Sequence, residues 1–197
     1  MPKQEADPVI PIFPLQRVVF PDSVLRLQIF EQRYLDMIAR QLSQQQGFGV
    51  ALIKKGTETG IVATSFPVGT YVNIVDFEQK ENGLLLITCI GQQRFRINSH
   101  TIMPDRLLSA QVSWLDNIPH RAISKQQLEL AHLLTDLSKH PQVDILDVPE
   151  RWSEIGFILE RLVEYMPVNE RQKQAVLEES DLDMRIAILY QMQHWLK

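Results

Sequence analysis

The residues best able to ligate a metal or attack a carbonyl are few in this chain, and their spacing does not assemble a site. His100, His120, His132, His140 and His194 are scattered, with no pair at i, i+4 and no cysteine cluster, so the ligand spacing of a zinc centre is missing. Glu129-Leu130-Ala131-His132 has the Glu-x-x-His spacing used in di-iron bundles. That chemistry needs a second copy and two further glutamates from other helices, and no second copy is present, so an ordinary half-exposed helix surface is expected there. Cys89 lies inside the apolar run Leu84 to Ile90 and is expected to be a buried small hydrophobe rather than a catalytic thiolate. Ser124-Lys125 are neighbours in sequence, which on a helix points them in different directions, and Ser124 already fits a capping role. Neither a Gly-x-x-x-x-Gly-Lys loop nor a Gly-x-Gly-x-x-Gly turn exists to cradle phosphate. No catalytic set, metal or cofactor is therefore expected, and function must come from contact surfaces.

One strand has residues suited to RNA. Arg94-Phe95-Arg96 follows Gln92-Gln93, and exposed strand readers use basic and aromatic side chains together. Alternation puts Phe95 opposite the two arginines, so Phe95 is expected in the core with Arg94 and Arg96 facing solvent or pairing with acids. Bulk charge does not favour a polyanion. The 197 residues include 20 Lys and Arg against 24 Asp and Glu, a net charge of -4. The opening Met1 to Pro8 has no apolar core for a signal peptide, and the longest apolar runs are far too short to span a bilayer. A single cysteine cannot form an intramolecular disulfide, which fits a reducing compartment. These features point to a cytoplasmic chain with no membrane partner.

The elements that must position any surface divide near Pro119. Before it, strands dominate. Val9 to Phe13 is interrupted by Pro11, which predicts an edge strand or extended arm. Leu25, Leu27 and Ile29 alternate with Arg26 and Gln28, the period of a strand with one buried face. Phe48 to Ile53 is a continuous apolar run of strand length. Tyr71 to Phe77 carries apolar side chains on both faces, which requires a cover for the second one. Asn82-Gly83 predicts a tight hairpin into Leu84 to Ile90. Gly91 is expected to separate that strand from Arg94 to Ile97, and Leu107 to Leu115 supplies the last one. One helix interrupts the strands, with Tyr34, Leu35, Ile38, Ala39 and Leu42 at helical spacing, placed to cover an open barrel end.

After Pro119 the period is helical. Ser124 with Gln127 makes a capping box before Leu128, Ala131, Leu134 and Leu137, and Pro141 stops that helix. Trp152 to Met166 carries a longer stripe, Asn169 with Gln172 opens a short helix, and Leu182, Ile186, Leu189 and Leu196 mark the last. The expected architecture is α+β: a barrel over residues 1–120 and a bundle of about four helices over 121–197.

Phe13-Pro14-Leu15-Gln16-Arg17-Val18-Val19-Phe20-Pro21, leading into Leu25-x-Leu27-x-Ile29-Phe30-Glu31-x-Arg33-Tyr34, resembles the opening of the Lon protease amino-terminal (substrate-binding) domain, especially its small stand-alone bacterial versions. Further pieces agree in order: Phe48 to Ile53, Gly69-Thr70, Asn82-Gly83-Leu84-Leu85 and Gly91-x-x-Arg94-Phe95-Arg96-Ile97 look like that family's barrel, and Trp152 to Leu162, Met166-Pro167, Gln174 to Leu177 and Arg185 look like its helical bundle. Two positions depart from the pattern. Asp22 stands where the family usually has glycine after Phe-Pro, and Arg26 where proline is frequent, so the loop between the first two strands is expected to differ locally. Full Lon proteases continue into ATPase and serine-lysine protease modules, and this chain stops without either.

The resemblance implies a partly open PUA-like barrel with one covering helix and an attached helical bundle. It also implies a non-catalytic role in binding unfolded or partly folded protein or peptide, as an adaptor or regulator of proteolysis. Such a role needs only an apolar groove and free strand edges. Phe30, Glu31, Arg33, Tyr34 and Phe66 are the candidate groove residues. The competing expectation for Phe30 and Tyr34 is packing of the helix onto the barrel, with Glu31 and Arg33 fixing its first turn. RNA binding through a PUA-like barrel is the alternative function, and an unassigned hydrolase has the least support.

Overall fold

The computed structural model describes residues 7–58, 64–80 and 83–195. Six strands run β1 (Val9–Leu15), β2 (Val24–Ile29), β3 (Phe48–Lys55), β4 (Thr64–Gln79), β5 (Leu85–Ile102) and β6 (Leu108–Trp114), with α1 (Gln32–Ser43) between β2 and β3. Four helices follow: α2 (Leu128–Ser138), α3 (Ile155–Tyr165), α4 (Glu170–Glu178) and α5 (Leu182–Trp195). The strands are ordered β2-β5-β4-β3-β1-β6, and a further β5–β6 pairing closes five of them into a ring while β2 stays outside it as a terminal strand.

Closure depends on the length of β5. Its first half pairs with β2 from Leu85 to Ile90, and its second half pairs with β6 from Phe95 to Ile102. Gly91 does not separate two strands, as its turn-forming character suggested. It sits within one continuous strand at a register shift opposite β4, where its N–H donates to Ser23 O at 3.0 Å. A Cβ there would lie 2.1 Å from the Phe20 carbonyl oxygen, so the close approach of two backbones demands glycine. Only part of the expected Asn82-Gly83 turn lies within the described residues. Gly83 has φ 81° and donates its N–H to Lys80 O at 3.0 Å, while Asn82, like Met1 to Ala6 and Leu196, lies outside them.

β1 is also not an edge strand. It pairs parallel to β3 through Ile12 to Leu15 and antiparallel to β6 through Val9 to Ile12. Each half uses one neighbour, so Pro11 falls where no β3 partner is present and its missing N–H interrupts little. The face of β4 expected to need a cover is open among the described residues: Val75 and Phe77 are 58% and 56% exposed.

Inside the ring, Ile12, Ala51, Phe95, Ala110 and Val112 form one cluster. On the outer side α1 buries Tyr34, Met37 and Ile38 against Phe13, Leu25, Phe48, Val72 and Cys89, which places the helix as a cover and Cys89 in the core. The third and largest cluster joins the two halves: Val18, Phe20, Leu52 and Val68 of the barrel pack with Leu134, Ile158, Leu162, Val176 and Leu189 of the bundle. Asn169 caps α4 as expected, accepting from Gln172 N at 3.0 Å, and Ser124 caps the 3-10 turn ahead of α2. Within α2 Leu130 and Leu134 are buried and Ala131 and Leu137 pack partly against the same cluster, so the expected stripe holds except at Leu128, which is exposed.

Candidate functional site

Phe30 follows the last residue of β2 and is 66% exposed. A six-residue strand delivers it there, and Glu31, at the N-cap of α1, turns the chain away. Tyr34 lies beneath, on the first turn of α1, stacked on Phe13 with ring centroids 4.0 Å apart. Phe13, Leu15, Leu27, Ile29, Phe30 and Tyr34, with the carboxylates of Glu31 and Glu58, line a small apolar pocket of about 100 Å³. Burial pushes the Tyr34 hydroxyl up to about 12, so it stays neutral and contributes apolar surface.

Three of the five candidate residues, Phe30, Glu31 and Tyr34, therefore share one pocket. Arg33 stands beside it, bound to Glu31 at 2.9 Å, donating to Arg106 O at 3.1 Å, and lying over the Tyr34 ring. Phe66 is elsewhere. It is partly buried against the cluster that joins barrel to bundle, with Lys54 over its ring. Leu27, Phe13 and Glu58 were not singled out from sequence. The alternation of β2 marked Leu27 as buried, but nothing local shows that β2 has no neighbour on one side.

A second recess of about 290 Å³ lies on the face of the β2-β5-β4 arm, where Arg26, Asp76, Phe77 and Glu78 are among its walls. A third, about 350 Å³, runs between barrel and bundle past Asp22, Gln92, His120, Arg151 and Glu154. Its charges are tied to one another. Arg151 holds Asp22 and Glu154, each at 2.9 Å, and His120 meets Glu154 at 2.8 Å. Among the described residues no group of three or more His, Cys, Asp or Glu could hold a metal ion.

The arginines of β5 do not both face solvent. Phe95 is in the core as expected, but Arg94 is only 1% exposed and donates to Leu177 O (2.8 Å), Glu179 O (3.0 Å) and Asp116 O (2.8 Å). Gly91 lies at the register shift between the two halves of β5, and the bundle covers the face that alternation assigned to water. Burial, reinforced by Arg185, lowers the Arg94 pKa to about 10, which still leaves it charged at neutral pH. Arg96 remains exposed.

A partly closed barrel braced by a helical bundle, with an apolar pocket beside an unpaired strand edge, is the architecture of a binding domain. The family model of the ATP-dependent protease La (LON) substrate-binding domain matches residues 9–193, and the chain belongs to that family. It is similar to the crystal structure of a Lon N-terminal domain protein from Xanthomonas campestris, with a TM-score of 0.77 and 27% identity over 93% of this chain and 97% of that one. The N-terminal domain of a Mycobacterium avium complex Lon protease shares the fold, with a TM-score of 0.64 and 17% identity over 94% of this chain and 97% of that one. Lon protease from Haemophilus influenzae is 25% identical over 93% of this chain and 24% of the protease. The chain thus spans about a quarter of the length of such curated relatives. No helix of the described residues is long and apolar enough to cross a membrane.

Proposed function

We propose that this chain is a non-catalytic module that binds unfolded or partly folded polypeptide, with the Phe30 pocket as its contact site and residues 1–120 as the binding barrel that the bundle of 121–197 braces. Membership of the LON substrate-binding family supports a role in recognition, and the observation that carries the site is Phe30, an aromatic side chain held in solvent over an apolar pocket. Leaving such a ring in water forfeits about 1.5–3 kcal/mol that a bound apolar segment restores. Unfolded chains expose such segments and folded ones bury them, so the pocket discriminates by foldedness. A role as adaptor or regulator of proteolysis follows if the bound chain is handed on.

The RNA alternative through Arg94 and Arg96 loses its first residue, because the Arg94 guanidinium is occupied by three backbone carbonyls.

The test is a fluorescence anisotropy titration with labelled, reduced and carboxymethylated α-lactalbumin as permanently unfolded probe. Wild-type protein should bind it and not the native form, and Phe30→Ser should weaken binding about 10- to 100-fold with an unchanged melting temperature. Equal affinity of wild type and variant would remove Phe30 from the site, and no binding by wild type would overturn the function.

A further inference from the structure

We propose that the polypeptide is held as an added strand on the free edge of β2, with an apolar side chain in the Phe30 pocket and basic side chains toward the acids around it. This rests on the polypeptide-binding reading above and specifies how the substrate is read.

β2 is the terminal strand of the sheet, paired on one side only, with β5. The lining of the Phe30 pocket includes Leu27, Gln28 and Ile29 of β2 but no residue of β5, so the pocket lies on the side of β2 away from its ladder. Gly91 N–H donates to Ser23 O, and alternation from that bond turns the backbone groups of Leu25, Leu27 and Ile29 toward β5 and those of Arg26 and Gln28 outward. Among the described residues, no hydrogen bond outside the β2–β5 ladder reaches the backbone of residues 24–30. Unpaired edge groups of this kind template strand addition, and pockets for alternate side chains supply its selectivity.

The chain already does this to itself one step away. Ser23 forms an isolated antiparallel bridge with Ile145, and Arg26 is held by Asp144 at 2.8 Å, so the segment before α3 pairs with the start of β2 and leaves Leu27 to Phe30 without such a partner.

Charge identifies the occupant. Around the pocket and the adjoining arm, Arg33 is matched by Glu31, Arg26 by Asp144 and Lys80 by Glu78. Glu58 and Asp76 have no cation against them among the described residues: the first accepts from Gln16 N and the second from Phe77 N. Among the residues lining the two recesses, Glu58 and Asp76 are therefore uncompensated negative charges beside apolar walls. An extended segment alternating apolar and basic residues fits it, and one alternating apolar and acidic residues is repelled.

The test uses fluorescein-labelled nonapeptides of alternating valine and lysine, or valine and glutamate, in anisotropy titrations at low salt, alongside the unfolded α-lactalbumin probe. The lysine peptide should bind at least about tenfold more tightly than the glutamate peptide. Gln28→Pro removes one outward N–H and no ladder bond, so it should weaken the lysine peptide about tenfold while leaving the melting temperature near wild type. If that variant fails to fold, the same loss should appear on wild-type protein with a lysine peptide N-methylated at every residue, which has no N–H left on either edge to pair as a strand. Unfolded α-lactalbumin that binds while neither N-methylation nor Gln28→Pro has an effect overturns strand addition, equal affinity for both peptides overturns the basic occupant, and either result leaves the function intact. Failure of wild type to bind any of the three probes overturns both.

Discussion

Removing Arg185 isolates the cost of a buried charge. Arg185 is fully buried at the start of α5, and its Nη1 donates to Glu160 Oε1 of α3 at 2.6 Å. Its Nε and Nη2 donate to Glu179 O (2.7 Å) and Leu177 O (3.2 Å). In Arg185→Met the two carbonyls keep a partner, because Arg94 Nη1 reaches both, at 2.8 and 3.0 Å. Glu160 loses the one hydrogen-bond partner found for it among the described residues, so the cost falls on a stranded carboxylate. Breaking a buried pair by removing one member costs about 3–5 kcal/mol, and replacing both members with apolar groups costs far less. Arg185→Met should thus lose about 3–5 kcal/mol in urea unfolding followed by the fluorescence of the three tryptophans, and Glu160→Leu/Arg185→Met should regain more than about 1 kcal/mol of it. The deficit also has a pH signature. Burial raises the Glu160 carboxyl pKa against the pull of Arg185, and without Arg185 it rises further, while the unfolded chain keeps a value of about 4.3. The folded variant then holds a proton that the unfolded chain releases, so its stability falls as pH climbs above about 4.3. The deficit relative to wild type should be smaller near about pH 5 than near about pH 8. A loss below about 1 kcal/mol, no recovery in the double variant, or a deficit independent of pH would each refute the stranded-charge argument.

Gly91→Ala should cost about 1–3 kcal/mol in the same urea assay, since its Cβ meets the Phe20 carbonyl oxygen at 2.1 Å and a backbone must move. Asp22 has φ 61° and pairs with Arg151 at 2.9 Å, so both Asp22→Gly and Asp22→Ala lose the pair but only alanine keeps the left-handed strain. The alanine variant should melt lower than the glycine variant by the equivalent of about 1 kcal/mol. Burial pushes the Cys89 thiol up to about 12, and Ellman's reagent should modify it in denaturant but not in the native protein near neutral pH.

Local patterns in the chain were enough for the parts whose partners are close in sequence. The stripe of α1, the Asn169 cap and the alternation of β2 each declare themselves within a few residues. What stayed hidden depends on distant neighbours. Arg94 reads as a surface arginine because alternation assigns a face, and Asp116, Leu177 and Glu179, which lie 22, 83 and 85 positions onward, are what cover it. Pro11 reads as an edge marker because a strand split between two partners has no local signature. Of the candidate pocket, Phe30, Glu31 and Tyr34 were legible from their clustering at a strand-to-helix junction. Leu27 and Glu58 were not, because their part depends on which side of β2 stays unpaired. The left-handed φ of Asp22 is one that glycine adopts freely, in keeping with the glycine that the resemblance implies there.

The placement of β1 constrains how the protein can be made. Its two neighbours come from β3 and β6, and its partner Gln111 lies about a hundred residues beyond Val9. A ribosome adding roughly 5–20 residues per second takes about 5–20 s to cover that span. During that interval the Val9 to Ile12 half of β1 lacks the strand with which it finally pairs. A nascent chain thus exposes an apolar strand for several seconds, a segment of the class that the site proposed at Phe30 would take up.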